Sequence, residues 1–140
     1  MSDWQRQPSS GPPAGLRFKS VVLMPPRQGL WQAIETRFRA MVGAGAIAEA
    51  QAVLGSGAAI DRPAFKALGF AGLINYLKNN IELDQAITEG IYDTRHYAKR
   101  QTTWFKHQIL TDLLLEKTFP ELKHGEIFAF IRQNLLTPLK

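Results

Sequence analysis

Between Gln28 and His107 the apolar residues recur at intervals of three and four, and one earlier stretch, Phe18–Met24 (FKSVVLM), departs from that rhythm. Its continuous Val-Val-Leu-Met run is the pattern of a strand buried on both faces. Pro25-Pro26 stops it, because proline donates no ladder hydrogen bond. No comparably strong strand exists elsewhere, the nearest candidate being the ambiguous Ile109–Leu115. A buried strand without neighbours leaves backbone donors and acceptors unpaired. The pattern therefore asks for a sheet supplied by a partner or by a larger whole.

The helical part is punctuated by glycine, proline and asparagine. Leu30, Ile34, Phe38 and Met41, with Trp31 and Val42 alongside, form one apolar stripe that Gly43 and Gly45 end. Ile47–Leu54 reads as a second short helix, stopped by Gly55-Ser56-Gly57. Asp61 ahead of Pro63 marks a helix start, giving a predicted helix over Ala64–Leu77. Lys78-Asn79-Asn80 breaks the chain before the longest helix, Leu83 to His107, and Glu126–Leu136 forms a last amphipathic one. Residues 1–17, rich in proline, serine and glycine, read as a flexible segment. The expected organisation is that segment, a strand plus helices over 18–107, and a tail over 108–140 carrying the terminal helix.

Composition excludes several classes. There is no cysteine among the 140 residues, so disulfides and thiolate metal sites are ruled out. No apolar run approaches the length of a membrane span, and the N-terminus has no signal-peptide core. A cytoplasmic location is expected. The net charge of +5 favours a polyanionic partner without specifying one.

Catalytic motifs are thin. No G-x-x-x-x-G-K-[ST] phosphate loop occurs in the sequence. Gly43-Ala44-Gly45-Ala46-Ile47-Ala48 has G-x-G-x-x-A spacing but follows a helix, where a helix–turn–helix joint explains it better than a dinucleotide site. His96, His107 and His124 have no metal-ligand spacing, and the acids are scattered singly. No catalytic or metal-binding residue is assigned.

Arg95–His107 (RHYAKRQTTWFKH) holds four permanent cations and no acid. On a helical wheel Arg95, Lys99, Arg100 and Lys106 share one side with His96, Thr103 and His107, while Tyr97, Ala98, Gln101, Trp104 and Phe105 take the other. Unrelieved like charges on a helix repel by tenths of a kcal/mol per pair, which favours phosphate, although a solvated face has the same composition. Gln101 falls in the middle of the apolar arc, where a buried amide needs a partner, either protein or a base edge. Trp104 and Phe105 suit base stacking or an ordinary core. Arg37, beside the first apolar stripe, is either a snorkelling surface residue or a fixed phosphate ligand.

The run Ala67 to Lys106, ALGFAGLINYLKNNIELDQAITEGIYDTRHYAKRQTTWFK, resembles the C-terminal part of bacterial tRNA dimethylallyltransferases. That family's long helix ends in T-R-x-x-A-K-R-Q-x-T-W-F/L-R, and Thr94, Arg95, Ala98, Lys99, Arg100, Gln101, Thr103 and Trp104 all match, with Lys106 in place of arginine. The upstream VVLMPPRQGLWQAIETRFRAM is similar to the family's strand and following helix, including the I-x-x-R-F element that supplies Arg37. The resemblance is close from about Phe18 to Lys106 and weak beyond.

It implies a mainly α chain, the helical C-terminal part of a P-loop α/β transferase with one or two orphan strands of its sheet. The implied reaction moves a dimethylallyl group from its diphosphate to N6 of the adenosine 3′ of the anticodon, with Mg²⁺ and a flipped base. The implied partner is the tRNA anticodon stem-loop, contacted by Lys66, Ala67, Leu68, Gly69, Phe70 and Ala71, and by Lys99, Arg100, Gln101, Thr102, Thr103, Trp104, Phe105 and Lys106. Arg37 would meet the donor diphosphate.

Two departures stand out. Gly69-Phe70-Ala71-Gly72 replaces the family's G-Y-R-[EQ], losing a hydroxyl and a cation. The family's phosphate-binding loop, catalytic aspartate and helical insertion have no counterpart, and Ser2–Gln7 (SDWQRQ) resembles mid-chain sequence. The expectation is therefore a C-terminal portion, from a truncated gene, a split gene or a misassigned start. Alone it contacts tRNA and is inactive, binding dimethylallyl diphosphate only with the N-terminal half and no Mg²⁺ of its own. The rival expectation is a non-catalytic helical interaction or RNA-binding module that completes a separately encoded N-terminal half.

Overall fold

A computed structural model describes residues 18–57, 63–118 and 124–135. The expected flexible segment 1–17 and the helix-start residue Asp61 lie outside the described residues. In chain order the elements are β1 (Val21–Leu23), α1 (Arg27–Met41), a π-type turn (Val42–Ala46), α2 (Ile47–Gly55), a 3-10 turn (Pro63–Lys66), α3 (Phe70–Leu77), α4 (Leu83–Gln108), β2 (Leu113–Leu115) and α5 (His124–Leu135). The chain is mainly α with a two-stranded parallel sheet, as the sequence led one to expect.

The strand run is not an orphan. β1 pairs in parallel with β2, Val21 opposite Leu113 and Leu23 opposite Leu115, so the ambiguous apolar stretch supplies its neighbour. Nor is it buried on both faces: Val22 is buried, whereas Val21 and Leu23 are each 40% exposed. Two three-residue strands have too little width to cover their own outer side chains.

Phe38 fixes how the helices meet. Together with Ile34 it faces Ile87 and Ile91 of α4, and Leu30, Trp31, Val42, Leu83 and Ala98 close around this cluster. Its ring occupies a slot between two glycines: a Cβ on Gly69 would lie 2.5 Å from the ring and one on Gly90 would lie 2.1 Å from it. The slot also revises a predicted helix. Ala64–Leu77 is not continuous, because Gly69 has φ +80 and separates the 3-10 turn from α3. A left-handed residue cannot sit inside an α-helix, and only glycine adopts it without strain.

The other boundaries follow local chemistry. Gly45, at φ +118, turns the chain from α1 into α2. Gly125 lies in the first turn of α5. Asn79, at φ 57, makes the break before α4. That helix has Asp84 in its first turn and Lys106 and His107 in its last, each sign suited to the helix dipole. Gly72 of α3 lies against Ala86 of α4, where a Cβ would come 3.2 Å from the Ala86 carbonyl oxygen. None of the described helices is long and apolar enough to cross a membrane.

Candidate nucleic-acid interface

The fully buried residues of α4 all lie in its first half. Ala86, Ile87, Gly90 and Ile91 are buried, whereas Lys99, Arg100, Gln101 and residues 103–108 are exposed. The inward line continues from Ile91 through Arg95, Ala98 and Thr102, all half-buried, toward the start of α1. The wheel left the aromatic side open between base stacking and an ordinary core, and the structure exposes it: Tyr97 is 44%, Trp104 54% and Phe105 37% exposed, and Gln101 is exposed too. Small residues at Ala98 and Thr102 let α1 approach that side, so the described residues leave the aromatic arc uncovered. Gln101 consequently needs no buried partner.

Of the four cations in this stretch, one is committed. Arg95 donates from an NH₂ group to Glu35 Oε2 at 3.1 Å, and Glu35 also accepts from Arg39 Nε at 3.3 Å. Arg95 further faces the Trp31 ring at 5.4 Å. Lys99, Arg100 and Lys106 make no ion pair among the described residues. Lys99, Arg100 and Trp104 line one shallow groove with His96 and His107. Lys99 and Lys106 also line a second groove between α4 and the start of α1. These three cations lie along about two turns of helix, and Arg100 also faces the Tyr97 ring at 5.7 Å.

The two threonine hydroxyls in the stretch are partly spent. Thr102 donates to the Ala98 carbonyl at 3.0 Å and Thr103 to that of Lys99 at 3.1 Å. Each retains acceptor capacity only, which suits a ribose 2′-hydroxyl or a base amino group better than a phosphate oxygen. Trp104 and Phe105 contact each other edge to face at 5.3 Å, leaving Trp104 the more exposed.

Arg37 lies elsewhere. It is exposed, makes no ion pair among the described residues, and lines a cavity of about 440 Å³ with Met41, Glu49, Leu68, Phe70 and Thr94. Of the other expected contact residues, Ala67 lines this cavity, Gly69 is buried against Phe38, and Lys66 and Ala71 are exposed without lining it. The cavity shares no lining residue with the two grooves on α4. The structure thus brings Arg37 together with Ala67, Leu68 and Phe70, and keeps the Lys99–Lys106 segment apart from them. No group of three or more acids or histidines able to hold a metal occurs among the described residues.

Sequence reasoning missed Arg27 and Trp31. Arg27 stacks on Trp31 at 4.1 Å, and both line the groove shared with Lys99 and Lys106. The signal was the i, i+4 spacing of an arginine and a tryptophan in the first turns of a helix.

A helical assembly leaning on a scrap of parallel sheet, with one cationic helix end standing clear, is the class these features define. Comparison with known proteins narrows it: the family described as IPP transferase matches residues 1–108, and the chain belongs to that family. A tRNA dimethylallyltransferase of Paramagnetospirillum magneticum is 41% identical over 137 residues, covering 98% of this chain and 43% of the relative. One from Wolbachia pipientis wMel is 43% identical over 125 residues, 89% of this chain and 41% of its own length. Among solved structures, the tRNA isopentenylpyrophosphate transferase of Bacillus halodurans superposes with a TM-score of 0.73 at 30% identity, covering 84% of this chain and 39% of that one. The tRNA delta(2)-isopentenylpyrophosphate transferase of Staphylococcus epidermidis gives 0.69 at 26% identity, covering 81% and 36%. The chain therefore spans about two fifths of the length of these relatives.

Proposed function

We propose that this chain is the tRNA-contacting helical part of a tRNA dimethylallyltransferase, which moves a dimethylallyl group from its diphosphate to N6 of the adenosine 3′ of the anticodon. The observation that carries the reading is the free end of α4: Lys99, Arg100 and Lys106 exposed, unpaired among the described residues, with no acid in the stretch. In this reading those cations hold the backbone phosphates of the anticodon stem-loop. Trp104 stacks on an unpaired base, and Thr102 and Thr103 accept from sugar or base donors. Arg37 meets the donor diphosphate at an apolar-walled cavity, and Ala67, Leu68 and Phe70 line that cavity beside it. Mg²⁺, part of the family's chemistry, is held by residues other than those described. The 140 residues alone bind RNA and transfer nothing, since they contain no phosphate-binding loop to position the diphosphate.

The test is binding of a labelled anticodon stem-loop RNA to the purified chain, with a parallel transfer assay using dimethylallyl diphosphate. Lys99→Ala with Arg100→Ala is expected to weaken binding roughly tenfold or more and to lower the salt slope by about one to two. Unchanged affinity and slope would sink the RNA reading, and a prenylated product would overturn the inactivity of the chain alone.

A second reading has its own support. Val21, Leu23 and Leu114 present exposed aliphatic side chains on a parallel sheet, an architecture that proteins ordinarily cover on both faces. In that reading the chain completes a separately encoded N-terminal half. Stable co-sedimentation with the N-terminal portion of a family member, lost on Leu23→Lys, supports it; no complex at micromolar concentration refutes it.

A further inference from the structure

We infer that Arg27 is a further phosphate-binding residue, and that the groove between the start of α1 and the end of α4 takes one phosphodiester group of the RNA. This rests on the RNA reading above and extends it to a second element. Arg27 comes from α1, whereas Lys99 and Lys106 come from α4, and all three line the same groove. None of them pairs with an acid among the described residues, and Glu116 is the one acid lining the groove. Three positive charges drawn together from two elements against one negative charge repel one another unless an anion sits between them.

The geometry of Arg27 suits that anion. Its guanidinium carbon lies 4.1 Å from the centroid of the Trp31 ring, close enough for the planar group to stack. Stacking uses the face of the guanidinium and leaves its edge, with the N–H donors, free for a phosphate oxygen pair. The indole also limits the rotamers open to the side chain, so less entropy is lost when the anion binds. Arg95 makes the contrast: it approaches the same ring at 5.4 Å but spends a donor on Glu35. Of the two arginines on Trp31, Arg27 is the one with its charge still to satisfy among the described residues.

The alternative role for Arg27 is packing on Trp31 alone, and the experiment separates the two. Affinity of a fluorescein-labelled anticodon stem-loop RNA is measured by anisotropy over a series of KCl concentrations for the wild-type chain, Arg27→Ala, Arg27→Lys and Lys99→Ala. Arg27→Ala is expected to lower the magnitude of the log–log salt slope by about 0.7–0.9, one phosphate's worth, with an affinity loss of roughly fivefold at low salt. Arg27→Lys, which keeps the charge and gives up the flat stack, is expected to retain the wild-type slope. If Arg27→Ala keeps the wild-type slope while Lys99→Ala loses it, the inference fails and the RNA reading survives. If Arg27→Lys falls as far as Arg27→Ala, Arg27 acts by packing and the inference fails. If Lys99→Ala and Arg27→Ala both match wild type, the RNA reading fails and takes the inference with it.

Discussion

Asp112 carries more of the sheet than its exposed position suggests. Its carboxylate accepts from Lys19 Nζ at 2.7 Å, from the Ser20 amide at 2.9 Å and from the Ser20 hydroxyl at 3.2 Å. The single Ser20 hydroxyl proton is shared between that carboxylate and the Leu110 carbonyl, and the Asp112 and Leu113 amides donate back to the Ser20 carbonyl at 3.1 Å. The Lys19 hydrogen bond first, then the Ser20 amide, holds the Asp112 carboxyl down from 3.8 to about 2. A depressed carboxyl stabilises the fold above its unfolded pKa, and that contribution is lost as pH falls through its folded value. Asp112→Asn is thus expected to lower the urea midpoint at neutral pH, with the gap to wild type closing between about 4 and about 2. A gap that stays constant across that window would refute the assignment. Neither Asp112 nor Ser20 was legible in the sequence, because a single acid and a single serine 92 residues apart carry no periodic signal.

At the scale of elements, periodicity revealed where the helices lie but not how they meet. The stripe Leu30–Ile34–Phe38 and the span of α4 were readable because repeated apolar spacing is a strong local signal. The wheel left Tyr97–Phe105 undecided between core and stacking surface because it ranks faces by hydrophobicity, and which face is covered depends on which neighbour is long enough to reach it. Here α1 reaches only the Ala98 and Thr102 side. The Phe38 slot was invisible for a related reason: Gly69 and Gly90 fall inside two different predicted helices, and only the packing joins them. Gly90→Ala is expected to destabilise the chain by about 2 kcal/mol, an overpacking cost of up to about 3 offset by about 1 of helix propensity. Gly43→Ala, where an added Cβ meets nothing within 4 Å, is expected to be neutral or slightly stabilising. Urea unfolding of the two variants checks both, and equal stabilities would show that the ring is free to move aside.

For the molecule as a whole, the consequence of pairing β1 with β2 is temporal. The helices can form from nearby contacts, but Ser20 meets Asp112 only when 92 residues of chain have been drawn into a closed loop. Loop closure on that scale costs entropy before it yields hydrogen bonds, so the sheet should assemble last, on a helical core already in place. A contact absent from the folding transition state changes the rate of leaving the native state and not the rate of reaching it. Asp112→Asn should therefore accelerate unfolding in stopped-flow urea jumps and leave the refolding limb where it was. An equal slowing of refolding would mean that β1 and β2 meet early, and that the sheet templates the helices instead of closing over them.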